Sequence, residues 1–321
     1  MKKIITLYTL CFSLCLFSFI RLQAQDEAIF NHYIFNPSII NPAFAGFEDK
    51  IQLFGHLRNQ WAGFANAPTT YDVFLNAPIT NKVGLGAMIL TEKFGVMSRF
   101  RAQLAYAYRY VGNGYKWSAG FSTEFHNVKL DQSLLDGNTN QFLDRNDPLL
   151  TDRTQGTNYF DATFGVCAAV DKWVFSLSIP NLIQARLGKL DGSPSTTGKN
   201  FGKEFLAYAS YKFTTDNTFT VEPSLLLRKV LTVPFEAEAN VKLGFFDDKL
   251  VTGITIRPGS SGQIGLIVGT KQPNFQIYYS YASSLSNINS YTRAAHEITI
   301  ALDFKKPEKL TAADKKKKRK S

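Results

Sequence analysis

The chain has only three cysteines, and two of them, Cys11 and Cys15, fall within its first twenty residues. Removal of that apolar leader leaves Cys167 alone, which excludes a disulfide within the mature chain. Charged residues make up 19% of the 321 positions, where an ordinary soluble domain carries roughly 25%, so a wholly water-facing surface would be thinly charged. Beyond residue 24 no apolar run reaches the ~18 residues of a transmembrane helix. The histidines His32, His56, His126 and His296 show neither HxxH nor HExxH spacing, and no glycine-rich loop carries the Lys and Ser/Thr of a phosphate cradle. Metal, nucleotide and other cofactor chemistry have no motif behind them, and no cofactor is expected.

What charge there is sits at the two ends. The formal net charge is +10, yet residues 25–314 hold 27 basic against 26 acidic side chains. The rest lies in Lys2, Lys3 and Arg21 and in Lys315–Lys320. Residues 1–24 have the form of a secretory signal peptide: two lysines, an uncharged run from Ile4 to Ile20, and a short polar stretch ending at Ala24. Leu22 stands where a small residue is preferred, which leaves an uncleaved anchor as the alternative. Export removes the chain from nucleic acid, so none is expected as a partner.

Between the ends the dominant signal is alternation. Phe100, Ala102, Leu104, Tyr106, Tyr108 and Tyr110 fall on one face of an extended segment, opposite Arg101, Gln103, Ala105, Ala107 and Arg109. Residues 115–125 repeat the pattern after a Gly112-Asn113-Gly114 turn. Fourteen such segments follow one another between residues 51 and 304. Many reach the roughly 9–11 residues that cross a bilayer at a tilt.

The connections sort by parity. Those after even-numbered strands are short, as at Pro78–Lys82, Gly112–Gly114 and Asp171–Lys172, whereas the long ones, Asn127–Tyr159, Asn181–Glu204 and Ser283–Ala295, follow odd strands. Outer-membrane barrels have short periplasmic turns and long external loops, and a soluble sandwich has no reason for such sorting. Tyr110, Tyr115, Trp117, Trp173, Phe213, Phe219 and Phe304 would gather near the short-turn ends as an interfacial girdle. The expected fold is all-β: a single antiparallel transmembrane β-barrel of about 14 strands in the outer membrane. The expected organisation is a signal peptide at 1–24, an N-terminal periplasmic cap or plug at 25–50, the barrel at 51–304, and a basic, solvated periplasmic tail at 305–321.

Parity also assigns the charges. Arg58, Arg101, Arg109, Glu124, Glu222, Arg228, Glu236, Glu238, Lys242 and Arg257 are expected to face the lumen, where they line a channel or pair with one another and with a plug. His126, near Ser122 and Glu124, is the one neighbourhood suggestive of hydrolysis, but a polar rim residue accounts for it more simply, and the chain is not read as an enzyme. Asp131, Asp136, Asp144, Asp147 and Asp152 lack the spacing of a calcium loop and read as a solvated acidic loop.

After the leader come Asn36-Pro37, then Asn41-Pro42-Ala43-Phe44-Ala45-Gly46, then Arg58-Asn59-Gln60-Trp61, then Pro68-Thr69. The Asn-Pro pairs are turn formers, since proline fixes φ and asparagine bonds its own backbone. This order resembles the PorP/SprF family of the type IX secretion and gliding machinery of Bacteroidetes outer membranes, with the likeness concentrated in residues 25–90. The resemblance implies a non-enzymatic accessory that helps specific cargo through secretion or holds it at the surface. Implied partners are periplasmic and outer-membrane components of the machinery, cargo with a C-terminal secretion domain, and outer-membrane lipid, with both chain ends periplasmic. The lysine-rich tail departs from the family pattern. A general or solute-specific porin is the alternative reading.

Overall fold

A computed structural model describes residues 30–64, 66–131, 154, 156–183, 185–187, 204–216, 219–229, 235–258, 262–285 and 294–304. The signal peptide, the tail and Asp136, Asp144, Asp147 and Asp152 of the acidic loop lie outside the described residues.

The strands are β1 (Ile51–Asn59), β2 (Thr69–Pro78), β3 (Val83–Phe94), β4 (Met97–Val111), β5 (Tyr115–Leu130), β6 (Thr157–Val170), β7 (Trp173–Ile179), β8 (Ala185–Leu187), β9 (Phe205–Tyr211), β10 (Phe213–Asp216), β11 (Phe219–Lys229), β12 (Glu236–Phe245), β13 (Leu250–Arg257), β14 (Gln263–Lys271), β15 (Phe275–Ser284) and β16 (Ala295–Phe304). Every pairing is antiparallel, most join sequence neighbours while β9 pairs with β7, and the ring closes where β1 pairs with β16, Ile51 opposite Phe304. β9 and β10 form one stave broken at Lys212, and both pair with β11. β8 pairs with β6 beyond the end of β7, prolonging the same stave. The chain is therefore a closed antiparallel barrel of fourteen staves.

Alternation decides which side chains meet lipid. In β4 the outward Leu104, Tyr106, Tyr108 and Tyr110 are exposed, Leu104 at 67%, while the inward Gln103, Ala105, Ala107 and Arg109 are buried. Tyr110 stacks on Tyr115 and Trp117 at the short-turn end, and Trp173, Tyr211 and Phe213 continue the aromatic belt. The expected acidic loop is shorter than 127–159, because β5 continues to Leu130 and β6 starts at Thr157. With fifteen and sixteen residues, β4 and β5 exceed the bilayer requirement. Their outward positions turn polar at Ser98, Asn127 and Lys129, where the sheet leaves the apolar layer.

The interior departs from a simple polar lining. Phe54, Phe74, Met88 and Leu90 point inward around Phe30. Leu206, Tyr208, Leu226 and Ile267 point inward around Tyr33, Ile34 and Ile40. Both clusters exist because residues 30–47 lie inside the barrel and offer apolar surface to its wall, which removes that area from water at about 25 cal/mol per Å².

Candidate functional site

The lumen and the segment that occupies it form the site. Residues 30–47 run as three short 3-10 turns, Asn31–Ile34, Pro37–Ile39 and Pro42–Phe44. Proline opens the second and third, where its missing N–H costs nothing and its φ is already set. Asn41 caps the third: its Oδ1 accepts from the Ala43 N–H at 2.8 Å. The same amide donates to the carbonyls of Val166 on β6 and Leu177 on β7, at 3.0 and 3.1 Å. One side chain thus opens a turn and fastens it to the wall. A chain so irregular is tolerated at membrane depth only where its backbone polar groups are satisfied by protein.

Two glycines let the segment lie against the wall. A Cβ on Gly120 would sit 2.5 Å from the backbone of Pro42 and Ala43. One on Gly84 would enter the Ala45 carbonyl. Asn36 is buried with its amide 3.5 Å from His56 Nε2, and Phe44 packs in a cluster with Ala43, Phe47 and Cys167.

The start of the segment is held by charge. Glu297 on β16 accepts the backbone N–H groups of Asn31 and His32 at 3.0 and 2.9 Å, and Arg58 on β1 lies 3.6 Å from the same carboxylate. Arg58 is 2% exposed, so it is a buried cation beside a buried anion. His32 Nδ1 and His56 Nδ1 converge on Thr299 Oγ1, each at 2.6 Å, and His56 faces Asp72 at 3.8 Å. Arg257 pairs with Glu238 and reaches Asn31 Oδ1 at 3.4 Å. Asn240 donates to the Tyr33 hydroxyl at 2.7 Å.

The other end of the segment is held at the short turns. Arg109, fully buried, donates to the carbonyls of Gly46 and Phe47 and, at 2.8 Å, to that of Thr80, and it pairs with Asp49 at 3.2 Å. Asn76 accepts the Gly46 N–H and donates to Ser38 Oγ.

The remaining inward charges pair across the wall. Lys242 meets Glu222 at 2.8 Å and Arg228 meets Glu236 at 2.6 Å, each pair directly opposite in the β11–β12 register. Arg101 lies 2.7 Å from Glu124. Ser122 donates to Glu124 at 3.0 Å and His126 Nε2 lies 3.3 Å from it, so serine and histidine share a carboxylate instead of contacting each other. That is an ion-pair arrangement, whereas nucleophilic attack needs the base on the hydroxyl.

The sequence motif divides in space. Asn36, Pro37, Asn41, Pro42, Ala43, Phe44, Ala45 and Gly46 belong to the plug, and Arg58 acts on its anchor Glu297. Gln60, Trp61 and Pro68 belong to the β1–β2 connection at the long-loop end and Thr69 opens β2; there Gln60 N–H donates to the Pro68 carbonyl at 2.9 Å. Trp61 takes a positive φ of 54° and packs on Phe94. Sequence reasoning missed Glu297, Thr299, Asp72 and His56. In β16 Ile298, Ile300 and Leu302 face outward, and the same alternation assigns Glu297, Thr299 and Asp303 to the lumen.

Fold and site together define a plugged β-barrel of the outer membrane. The chain matches, over residues 22–302, the family described as "Type IX secretion system membrane protein PorP/SprF", and it belongs to that family. Solved structures similar to it include the CymD monoaromatic hydrocarbon channel, at 10% identity and a TM-score of 0.48, covering 88% of this chain and 94% of that one. The Pseudomonas putida toluene transporter TodX matches at 9% identity and 0.47, over 84% and 94% of the two chains. Outer membrane phospholipase A from Escherichia coli matches at 9% and 0.34, over 83% and 98%. Among curated proteins the chain has no significant match.

Proposed function

We propose that this barrel is a closed, non-enzymatic component of type IX secretion that assists or retains specific cargo at the outer membrane and does not conduct solutes. One observation carries the reading: residues 30–47 fill the lumen and are fastened at both ends, by Glu297 and by Arg109. A diffusive porin needs a wet, continuous path, and the inward Phe54, Phe74, Leu226 and Tyr278 are buried against the plug or the wall. The short turns face the periplasm in this reading, where they meet other parts of the machinery, and the long loops face cargo.

Deletion of the gene, followed by comparison of surface and secreted proteomes with the parent, tests the role. Loss of one or a few large proteins sharing a C-terminal domain is expected. An unchanged secretome with altered uptake of small solutes would overturn the proposal in favour of the porin.

A further inference from the structure

Side chains of the barrel wall hold residues 30–47 in large part by their main chain. Glu297 accepts the N–H groups of residues 31 and 32. Ser178 on β7 donates to the Ile40 carbonyl at 2.6 Å, and the Cys167 thiol on β6 donates to that of Ala43 at 3.5 Å. Toward the short turns Asn76 accepts the Gly46 N–H, while Arg109 and Lys116 donate to the Phe47 carbonyl. Such contacts do not depend on which side chain the plug carries, because every residue but proline offers the same N–H and C=O.

Side-chain identity enters at apolar sockets. Phe30 fills one among Phe54, Phe74, Met88 and Leu90, and Tyr33 and Ile40 fill another against Leu206 and Leu226. Phe35 stacks on Tyr278 with ring centroids 3.5 Å apart. Glu297 lies opposite Arg58 in the long-loop half, and Arg109 reaches Thr80 at the short turns, so sockets and main-chain contacts together follow the barrel from one half to the other.

We propose that the lumen is a binding track for polypeptide. The chain's own residues 30–47 occupy it in this state, and once they are displaced it accepts a segment of another polypeptide with large apolar side chains at the spacing of Phe30, Tyr33 and Ile40. Main-chain capture gives tolerance and the sockets give selectivity, a division of labour that recurs in the binding of extended peptides. A polypeptide is favoured over a small apolar solute, which would offer nothing to Glu297, Ser178 or Arg109 and would leave buried polar groups without partners. The inference rests on the proposed role in secretion for the source of that second polypeptide, a cargo chain.

The plug's covalent link to β1 gives it a roughly millimolar effective concentration, so a free peptide competes with it only after that link is cut. The test therefore uses the full mature chain in nanodiscs with a protease site inserted between Glu48 and Asp49, both exposed. Heat-modifiable gel mobility shows whether the cut barrel stays folded. A dye-labelled synthetic peptide of residues 30–47 is expected to exchange into the cut barrel, read as a rise in fluorescence anisotropy, and not into the uncut one. A peptide with alanine in place of Asn31, His32 and Ser38 is expected to bind within about tenfold of the native peptide. Serine in place of Phe30, Tyr33 and Ile40 is expected to weaken binding at least about a hundredfold. The barrel variant Glu297→Gln should bind the native peptide about tenfold more weakly.

No exchange into a cut, folded barrel would overturn the proposal, as would a serine peptide that binds like the native one. A loss on the alanine peptide as large as that on the serine peptide would also overturn it, because the lumen would then be shaped for its own plug alone. The secretome comparison is a separate readout: failed exchange leaves a cargo-specific role standing, and an unchanged secretome beside successful exchange removes the role but leaves the track.

Discussion

At the residue scale, the plug is specified by a few side chains whose roles are steric and electrostatic. Gly120 and Gly55 make a clean comparison. An added methyl at Gly120 meets the backbone of Ala43, whereas nothing lies within 4 Å of one at Gly55. Gly120→Ala is expected to cost about 1–3 kcal/mol and Gly55→Ala almost nothing, read as the shift in denaturant midpoint of the refolded barrel. His32 supplies a pH dependence. Burial first, and Arg58 second, lower its pKa from 6.5 to about 3, so it is neutral when the plug is seated. When the segment is released it titrates near its ordinary value, and below about pH 6.5 the released state binds a proton that the seated state does not. The stabilisation is complete above that pH and is lost as pH falls toward 3. Protease cleavage of the segment should speed up between pH 7.5 and 5, and His32→Gln should flatten that slope by up to one proton.

At the scale of elements, β4 joins the lipid face to the short-turn latch, since its Tyr110 stands in the aromatic belt while its Arg109 grips the plug. Arg109→Ala removes its bonds to the Gly46, Phe47 and Thr80 carbonyls and its contact with Asp49. The variant is expected to keep its strands by circular dichroism but to be cut by protease near residues 46–50, which the parent resists. The staves themselves were legible in the sequence, because period two is a property of each strand alone. In β1 and β2 alternation of apolar and polar residues is blurred, because Phe54 and Phe74 turn inward to meet Phe30. Their meaning depends on a partner 24 to 44 residues away, which local pattern does not encode. The same holds for the candidate site. The inward charges followed from alternation, but the attachment of Glu297 to the backbone of residues 31 and 32 joins opposite ends of the chain, and no spacing announces it.

At the scale of the whole molecule, the closed ring and the filled lumen make one prediction. The purified mature barrel should be silent in planar bilayers, and a variant lacking residues 30–47 should conduct ions if it inserts. A native barrel with steady conductance would mean that the plug leaves a path. The reversed case, a silent deletion variant that is folded by gel mobility, would mean that the wall collapses inward on its apolar clusters.

The seam where β1 meets β16 has a consequence for biogenesis. Glu297 and Thr299, which receive the first turn of the plug, belong to the last strand, while His56 and Arg58, which complete the grip, belong to the first. Before the final strand arrives, the backbone of residues 31 and 32 lacks the carboxylate that holds it. Seating of the first turn therefore certifies that the circle is complete: a protein truncated before β16 keeps the Arg109 latch near residue 46 but leaves residues 31 and 32 unheld and open to quality-control proteases.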